Sequence, residues 1–158
     1  MDEQAISQQF EKLISQLLDL LQVQAAIQVD VQTYDERKYL DVKLTVEDGG
    51  AELIGHHGSI LESLSTVLSM IMPRGEESLG VVLDVNGYRN ARSKYIEDLT
   101  KKTVEQVLAT QTEVVLLPMK PWERRIVHMT VAGNTEIMTE STGDEPDRRV
   151  IIKPAPAL

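Results

Sequence analysis

The chain has no cysteine among its 158 residues, which excludes a disulfide framework and any cysteine-ligated metal centre. No apolar run approaches the ~20 residues that a membrane-spanning helix requires, so no membrane association is expected. The opening residues Met1-Asp2-Glu3-Gln4 lack the basic start of a signal peptide, and a cytoplasmic location is the expectation. There is no phosphate-binding loop, no dinucleotide fingerprint, no internal repeat and no low-complexity tract. The carboxylates form no catalytic pairing, so the chain does not read as an enzyme. His56 and His57 are adjacent and His128 lies far along the chain, with no carboxylate at a ligand spacing, so neither a metal nor another cofactor is expected. Basic residues are scarce in one half only. Residues 1–86 hold 5 basic and 15 acidic residues, a net of −10, whereas residues 87–158 hold 11 and 10, a net of +1. The total of −9 weighs against phosphate contact, but all the excess acid sits in the first half. That break near Asn86 is the first sign of two domains.

Hydrophobic residues make up 42% of the chain, enough for a packed core and too many for a disordered one. Ile6, Phe10, Leu13, Ile14, Leu17, Leu18 and Leu21 recur at helical spacing. Ile27, Val29 and Val31, then Leu40, Val42, Leu44 and Val46, alternate with polar residues as two strands. Asp35-Glu36-Arg37-Lys38 reads as the turn between them. After Gly49-Gly50 there is room only for a short helix before Gly55-His56-His57-Gly58. Ile60, Leu61, Leu64, Val67, Leu68 and Ile71 then resume helical spacing, with Pro73 as the stop. Val81, Val82, Leu83 and Val85 read as a strand. Asn86 suits an N-cap for a long helix whose stripe is Tyr88, Ala91, Tyr95, Leu99, Thr103 and Val107. Beyond it come a strand at Val114–Leu117, a helix from about Trp122 to Val131 entered through Pro121, and short strands near Glu136–Ser141 and Arg149–Lys153. Residues 154–158 read as a frayed tail.

Two segments carry chemistry. The glycines of Gly55-His56-His57-Gly58 permit a close backbone approach, and the helix that follows offers unpaired N–H groups, a combination that can hold a nucleic-acid backbone. The plain alternative is a tight interhelical turn. The second segment is Pro121-Trp122-Glu123-Arg124-Arg125-Ile126-Val127-His128. Arg124 and His128 are four apart and share one helical face, with Arg125 flanking. An arginine fork and an imidazole suit an unpaired, unstacked nucleotide. Spacing alone favours a solvated charged face with a partly buried histidine. Trp122 reads as a core anchor. Arg89, Arg92, Lys94, Arg148 and Arg149 are individually ordinary surface charges that together can form a basic rim around Arg124.

In this order and on these elements, the two segments resemble the Jag family of bacterial proteins. The element order up to Val85 is similar to a type II KH domain with Gly55-His56-His57-Gly58 as its loop. Residues 87 onward resemble the R-three-H domain, named for an Arg and a His with three residues between, here Arg124 and His128. The segment from Leu117 to His128 carries the likeness, and Thr139-Glu140-Ser141 and Gly143 to Ile152 match the closing part. The resemblance implies an α+β fold, with a type II KH domain over residues 1–86 and a small α/β R-three-H domain over residues 87–153, joined by the long helix. It implies binding of single-stranded RNA or DNA, a link to cell elongation and division, and a small KH-only protein as partner. The sequence does not set the oligomeric state. The chain is expected to lack the separate N-terminal domain of that family, and its loop carries two histidines where nucleic-acid-binding loops of this kind carry Lys or Arg. The competing expectation is a protein-interaction module whose acidic KH half docks a partner with little RNA contact.

Overall fold

The computed structural model describes residues 3–34, 37–71 and 80–156. The chain divides into two compact units, Met1–Arg89 and Asn90–Leu158. The first contains α1 (Glu3–Leu21), β1 (Ala26–Tyr34), β2 (Arg37–Thr45), α2 (Ala51–Ile54), α3 (Ser59–Ile71) and β3 (Gly80–Val85). Its sheet has the order β1-β2-β3, antiparallel between β1 and β2 and parallel between β2 and β3. Strand side chains alternate between faces, so Leu40, Val42 and Leu44 of β2 and Val81, Leu83 and Val85 of β3 all reach one face and are buried. Phe10, Ile14 and Leu18 of α1 and Leu61 and Leu68 of α3 complete that core. Each such large apolar side chain contributes about 1.5–3 kcal/mol when fully buried.

The turn between β1 and β2 is shorter than its composition suggests. Arg37 and Lys38 pair with Tyr34 and Thr33 inside the ladder, which narrows the connection to residues 35 and 36, outside the described residues. Pro73 also lies outside them. Asn86 is not the N-cap of the next helix. Its carboxamide clasps Val46 instead, with Oδ1 accepting from the Val46 N–H and Nδ2 donating to the Val46 carbonyl oxygen, both at 2.9 Å. Asp84 does the capping, its Oδ1 accepting from the Arg89 N–H at 3.2 Å.

That helix, α4 (Tyr88–Thr110), leads into the second unit, which continues with β4 (Val114–Val115), α5 (Pro121–Val131), β5 (Ile137–Thr142) and β6 (Arg149–Pro154). The sheet order is β4-β6-β5, all antiparallel. The buried stripe of α4 is Ile96, Thr100, Thr103 and Val107, whereas Tyr95 is 56% exposed. Thr103 and Val107 lie on the stripe expected from the sequence, whereas Ile96 and Thr100 do not. The Thr100 and Thr103 hydroxyls donate to the Ile96 and Leu99 carbonyl oxygens at 2.7 and 2.8 Å, so both residues bury without an unmet polar group. The tail is held further than expected. Pro154 pairs with Ile137, and the Ala155 N–H donates to the Glu136 carbonyl oxygen at 2.8 Å. Trp122 is half-buried and lies outside the buried core, which consists of Ile96, Val107, Leu116, Met119, Val127, Val131, Ile137, Val150 and Ile152.

Candidate nucleic-acid interface

Helix α5 opens with Pro121 at its first position, where a missing N–H is harmless. Glu123, in the first turn, is completely buried. Its Oε2 accepts from the Lys120 N–H at 2.8 Å, tying the side chain to the helix start. Its Oε1 accepts from Arg92 Nε of α4 at 2.7 Å. Arg92 is therefore held by Glu123 rather than projecting freely. Its side chain is only 17% exposed, and its guanidinium stands 5.2 Å from the centroid of the Tyr95 ring. A buried carboxylate needs a cation, and Arg92 supplies it.

The buried residues of α5 are Glu123, Arg124, Val127 and Val131, so Arg124 faces inward. This overturns the solvated face that spacing alone favours. Arg124 Nη1 donates to the Met119 carbonyl oxygen and Nη2 to Glu145 Oε1, each at 2.7 Å. One turn on, His128 Nδ1 lies 2.8 Å from Thr139 Oγ1 and Nε2 lies 2.8 Å from Ser141 Oγ. Thr139 and Ser141 are two apart on β5 and so project from the same face. A neutral imidazole donates at one nitrogen and accepts at the other, and a hydroxyl can serve either. Burial, and then the charge of Arg124, hold the His128 pKa below its ordinary value and favour the neutral ring.

Arg124 and His128 line a groove of about 430 Å³ together with Pro121, Arg125, Met129, Ala132, Ser141 and Arg148. Its lining is more apolar than polar. Arg125 is exposed and Arg148 half-buried, and neither side chain pairs with another described residue. The groove thus sets apolar side chains of Pro121, Met129 and Ala132 beside cations, chemistry compatible with a flat ring and with phosphate. The fold brings Arg124, Arg125, His128 and Arg148 together here. Arg149 lies outside the lining, its Nε donating to the Asp147 carbonyl oxygen at 3.1 Å.

The remaining sequence-predicted residues lie in the first unit. Arg89 Nε donates to the Leu83 carbonyl oxygen at 3.3 Å, and the side chain borders a hollow of about 280 Å³ with Glu62, Ser65, Thr66 and Ser69. In the Gly55-His56-His57-Gly58 loop the imidazoles stack at 4.0 Å. Gly58 has φ +76°, and a Cβ there would stand 2.9 Å from Tyr88 Cε1; at Gly55, φ +70°, it would stand 2.6 Å from Ile60 Cγ1. Both glycines are therefore required by local geometry, whatever the loop binds. No cluster of three or more His, Asp or Glu among the described residues can hold a metal ion, and no helix among them is long and apolar enough to cross a membrane. Met119 and Glu145 hold Arg124, and Thr139 and Ser141 hold His128; the family-like segments contain all four, but the sequence reading gives them no role. For two of them a signal exists, since alternation along β5 puts Thr139 and Ser141 on one face.

Residues 94–154 match the R-three-H domain family, so the second unit carries that domain. Among curated relatives, RNA-binding protein KhpB of Clostridium symbiosum is 33% identical over 142 residues, 89% of this chain and 63% of that protein. RNA-binding protein KhpB of Bacillus subtilis is 32% identical over 126 residues, covering 78% and 60%. RNA-binding protein KhpB of Lactiplantibacillus plantarum is 36% identical over 101 residues, covering 63% and 31%. The chain spans less than two thirds of the length of these relatives.

Proposed function

We propose that this protein binds single-stranded nucleic acid, RNA foremost, and that the groove of the R-three-H domain is its principal site. The observation that carries the reading is the convergence of Arg124, Arg125, His128 and Arg148 on one largely apolar groove, with Arg125 and Arg148 unpaired among the described residues. The names of the relatives, RNA-binding proteins in each case, agree with it. Arg124 and the cationic rim take phosphate, and the apolar floor and the His128 ring take a base. The test is polarisation binding of a short mixed-sequence single-stranded RNA to wild type, Arg124→Ala and His128→Ala, with folding checked by circular dichroism. Loss of Arg124 weakens binding by about 1.5–3 kcal/mol, the range of a hydrogen bond to a charged group. Unchanged affinity in both folded variants refutes the assignment.

The first unit is best read as a type II KH domain, supported by its helix-strand-strand-helix-helix-strand order and its GxxG loop. A second reading of this half is protein docking, with a small KH-only protein as the partner. Its net charge of −10 over residues 1–86 and the exposed Ile60, Val67, Met70 and Ile71 of α3 favour that reading. A His56→Ala/His57→Ala double variant separates the two. Weakened RNA binding supports the loop as a nucleic-acid contact, and unchanged RNA binding supports docking.

A further inference from the structure

Two acceptors of different permanence hold the Arg124 guanidinium. The Met119 carbonyl oxygen, on the protein interior, takes Nη1. Glu145 takes Nη2 from the connection between β5 and β6, where its side chain is 53% exposed. A carboxylate and a phosphodiester each offer a guanidinium two anionic oxygens, in geometries that the same fork can accept. The neighbouring cations, Arg125 and Arg148, have no acceptor among the described residues. Among the arginines lining the groove, the one fixed in orientation is thus also the one that is neutralised.

We propose that Glu145 occupies a phosphate position on Arg124, and that a single strand binds by exchanging a phosphodiester for this carboxylate. The inference rests on the groove being the single-strand site. Arg125 and Arg148 draw the strand in, and Met119 keeps the guanidinium aimed while Glu145 leaves. A backbone carbonyl is suited to the permanent role because it carries no net charge and cannot leave the fold. An exposed glutamate is suited to the exchangeable one because water solvates its carboxylate once it is displaced. Glu145 therefore sets a threshold that a weakly held anion does not cross and that a strand gripped at several points does.

The opposite role, Glu145 as a brace that orients Arg124 for the ligand, predicts the opposite sign, which makes the test decisive. Single-stranded RNA affinity is measured by polarisation for wild type, Glu145→Gln and Asp144→Asn in the full chain. Glutamine keeps a hydrogen-bond acceptor and removes the charge. Asp144→Asn makes the same charge change at an exposed position in the same loop. Glu145→Gln is expected to tighten binding about twofold to fivefold, equivalent to ~0.4–1 kcal/mol, the range of an exposed ion pair. Asp144→Asn is expected to tighten it less. The gain from Glu145→Gln should shrink as salt rises from about 50 to 200 mM, because salt screens the competing pair. Equal or weaker binding by Glu145→Gln, or an equal gain from Asp144→Asn, overturns the exchange. Arg124→Gln in parallel separates the two claims. If it weakens binding while Glu145→Gln does nothing, only the exchange falls. If wild type and Glu145→Gln both fold and neither binds, the groove reading falls and the exchange with it.

Discussion

Replacing Glu123 by glutamine isolates the interior support of the groove. Glu123 is 0% exposed and its partner Arg92 17%, with Nε to Oε1 at 2.7 Å. Removing one partner of a buried pair typically costs about 3–5 kcal/mol, because the other charge is left uncompensated. Two features here lower that figure. Glutamine keeps a carbonyl oxygen for the Lys120 N–H, and Arg92 keeps the Tyr95 ring face at 5.2 Å and some water. The expected loss is then about 2–4 kcal/mol, which for a domain of this size lowers the melting temperature by roughly 10–30 °C. Trp122 is the only tryptophan and stands beside Glu123 in sequence, so its fluorescence during urea denaturation reports unfolding of the second unit. Arg92→Met belongs in the same series. With both partners gone no unpaired charge remains, so the double variant should be more stable than the sum of the single losses predicts. Arg92→Met should also leave RNA affinity near wild type in the folded protein. A Glu123→Gln loss under about 0.5 kcal/mol, the range of an ordinary surface change, refutes the buried-pair argument. A fully stable Arg92→Met that loses RNA affinity would return Arg92 to the nucleic-acid site.

The depressed His128 pKa gives a stability dependence of definite sign. The folded protein favours neutral imidazole, so this contribution is complete above the unfolded value of ~6.5 and is lost as pH falls through the folded value. Urea denaturation at about pH 7.5 and 5.5 should therefore show wild type losing more stability on acidification than His128→Gln, and an equal loss in both contradicts it. Gly58→Ala combines φ +76° with a Cβ 2.9 Å from Tyr88 Cε1, and should destabilise the first unit by about 1–3 kcal/mol in denaturant. A near-neutral result would contradict both the backbone and the contact arguments. The groove should prefer single strands to a matched duplex, since an apolar floor needs an exposed base, and competition with duplex at least as effective as with single strand contradicts this. Only a few cations line it, so the salt dependence should also be shallow.

The elements most visible in the sequence are those whose partners are generic. An amphipathic helix such as α1 needs only some apolar surface to cover Phe10, Ile14 and Leu18, and the alternation in β2 needs only a core below Leu40, Val42 and Leu44. Features that depend on one particular distant atom do not show in local pattern. Asn86 has an N-cap's composition, but the Val46 backbone, 40 residues earlier, takes both ends of its carboxamide. The sequence stripe of α4 includes Thr103 and Val107 but misses Ile96 and Thr100, since threonine counts as polar in a composition and yet buries well once its hydroxyl returns to its own helix. Size alone assigns Trp122 to the core, whereas the neighbouring carboxylate of Glu123 takes the interior through a pairing with Arg92, 31 residues away.

The candidate site divides along the same line. A spacing of four puts Arg124 and His128 on one face of α5, and that much follows from helix geometry alone. Which way the face turns does not follow from it. An arginine is normally left in water, and Arg124 goes inward only because Met119 and Glu145 bring acceptors to both ends of its fork. His128 is likewise aligned by Thr139 and Ser141, which spacing along α5 cannot reveal. The consequence is functional as well as structural. A solvated arginine and a loose imidazole must surrender side-chain freedom when a ligand binds, at about 0.5–1.5 kcal/mol for each rotamer-rich side chain. Arg124 and His128 have already lost that freedom on folding. On the proposed reading of the groove, the adaptable part of the recognition falls to Arg125 and Arg148, so substitutions there should weaken capture of a strand while leaving the geometry of the groove intact.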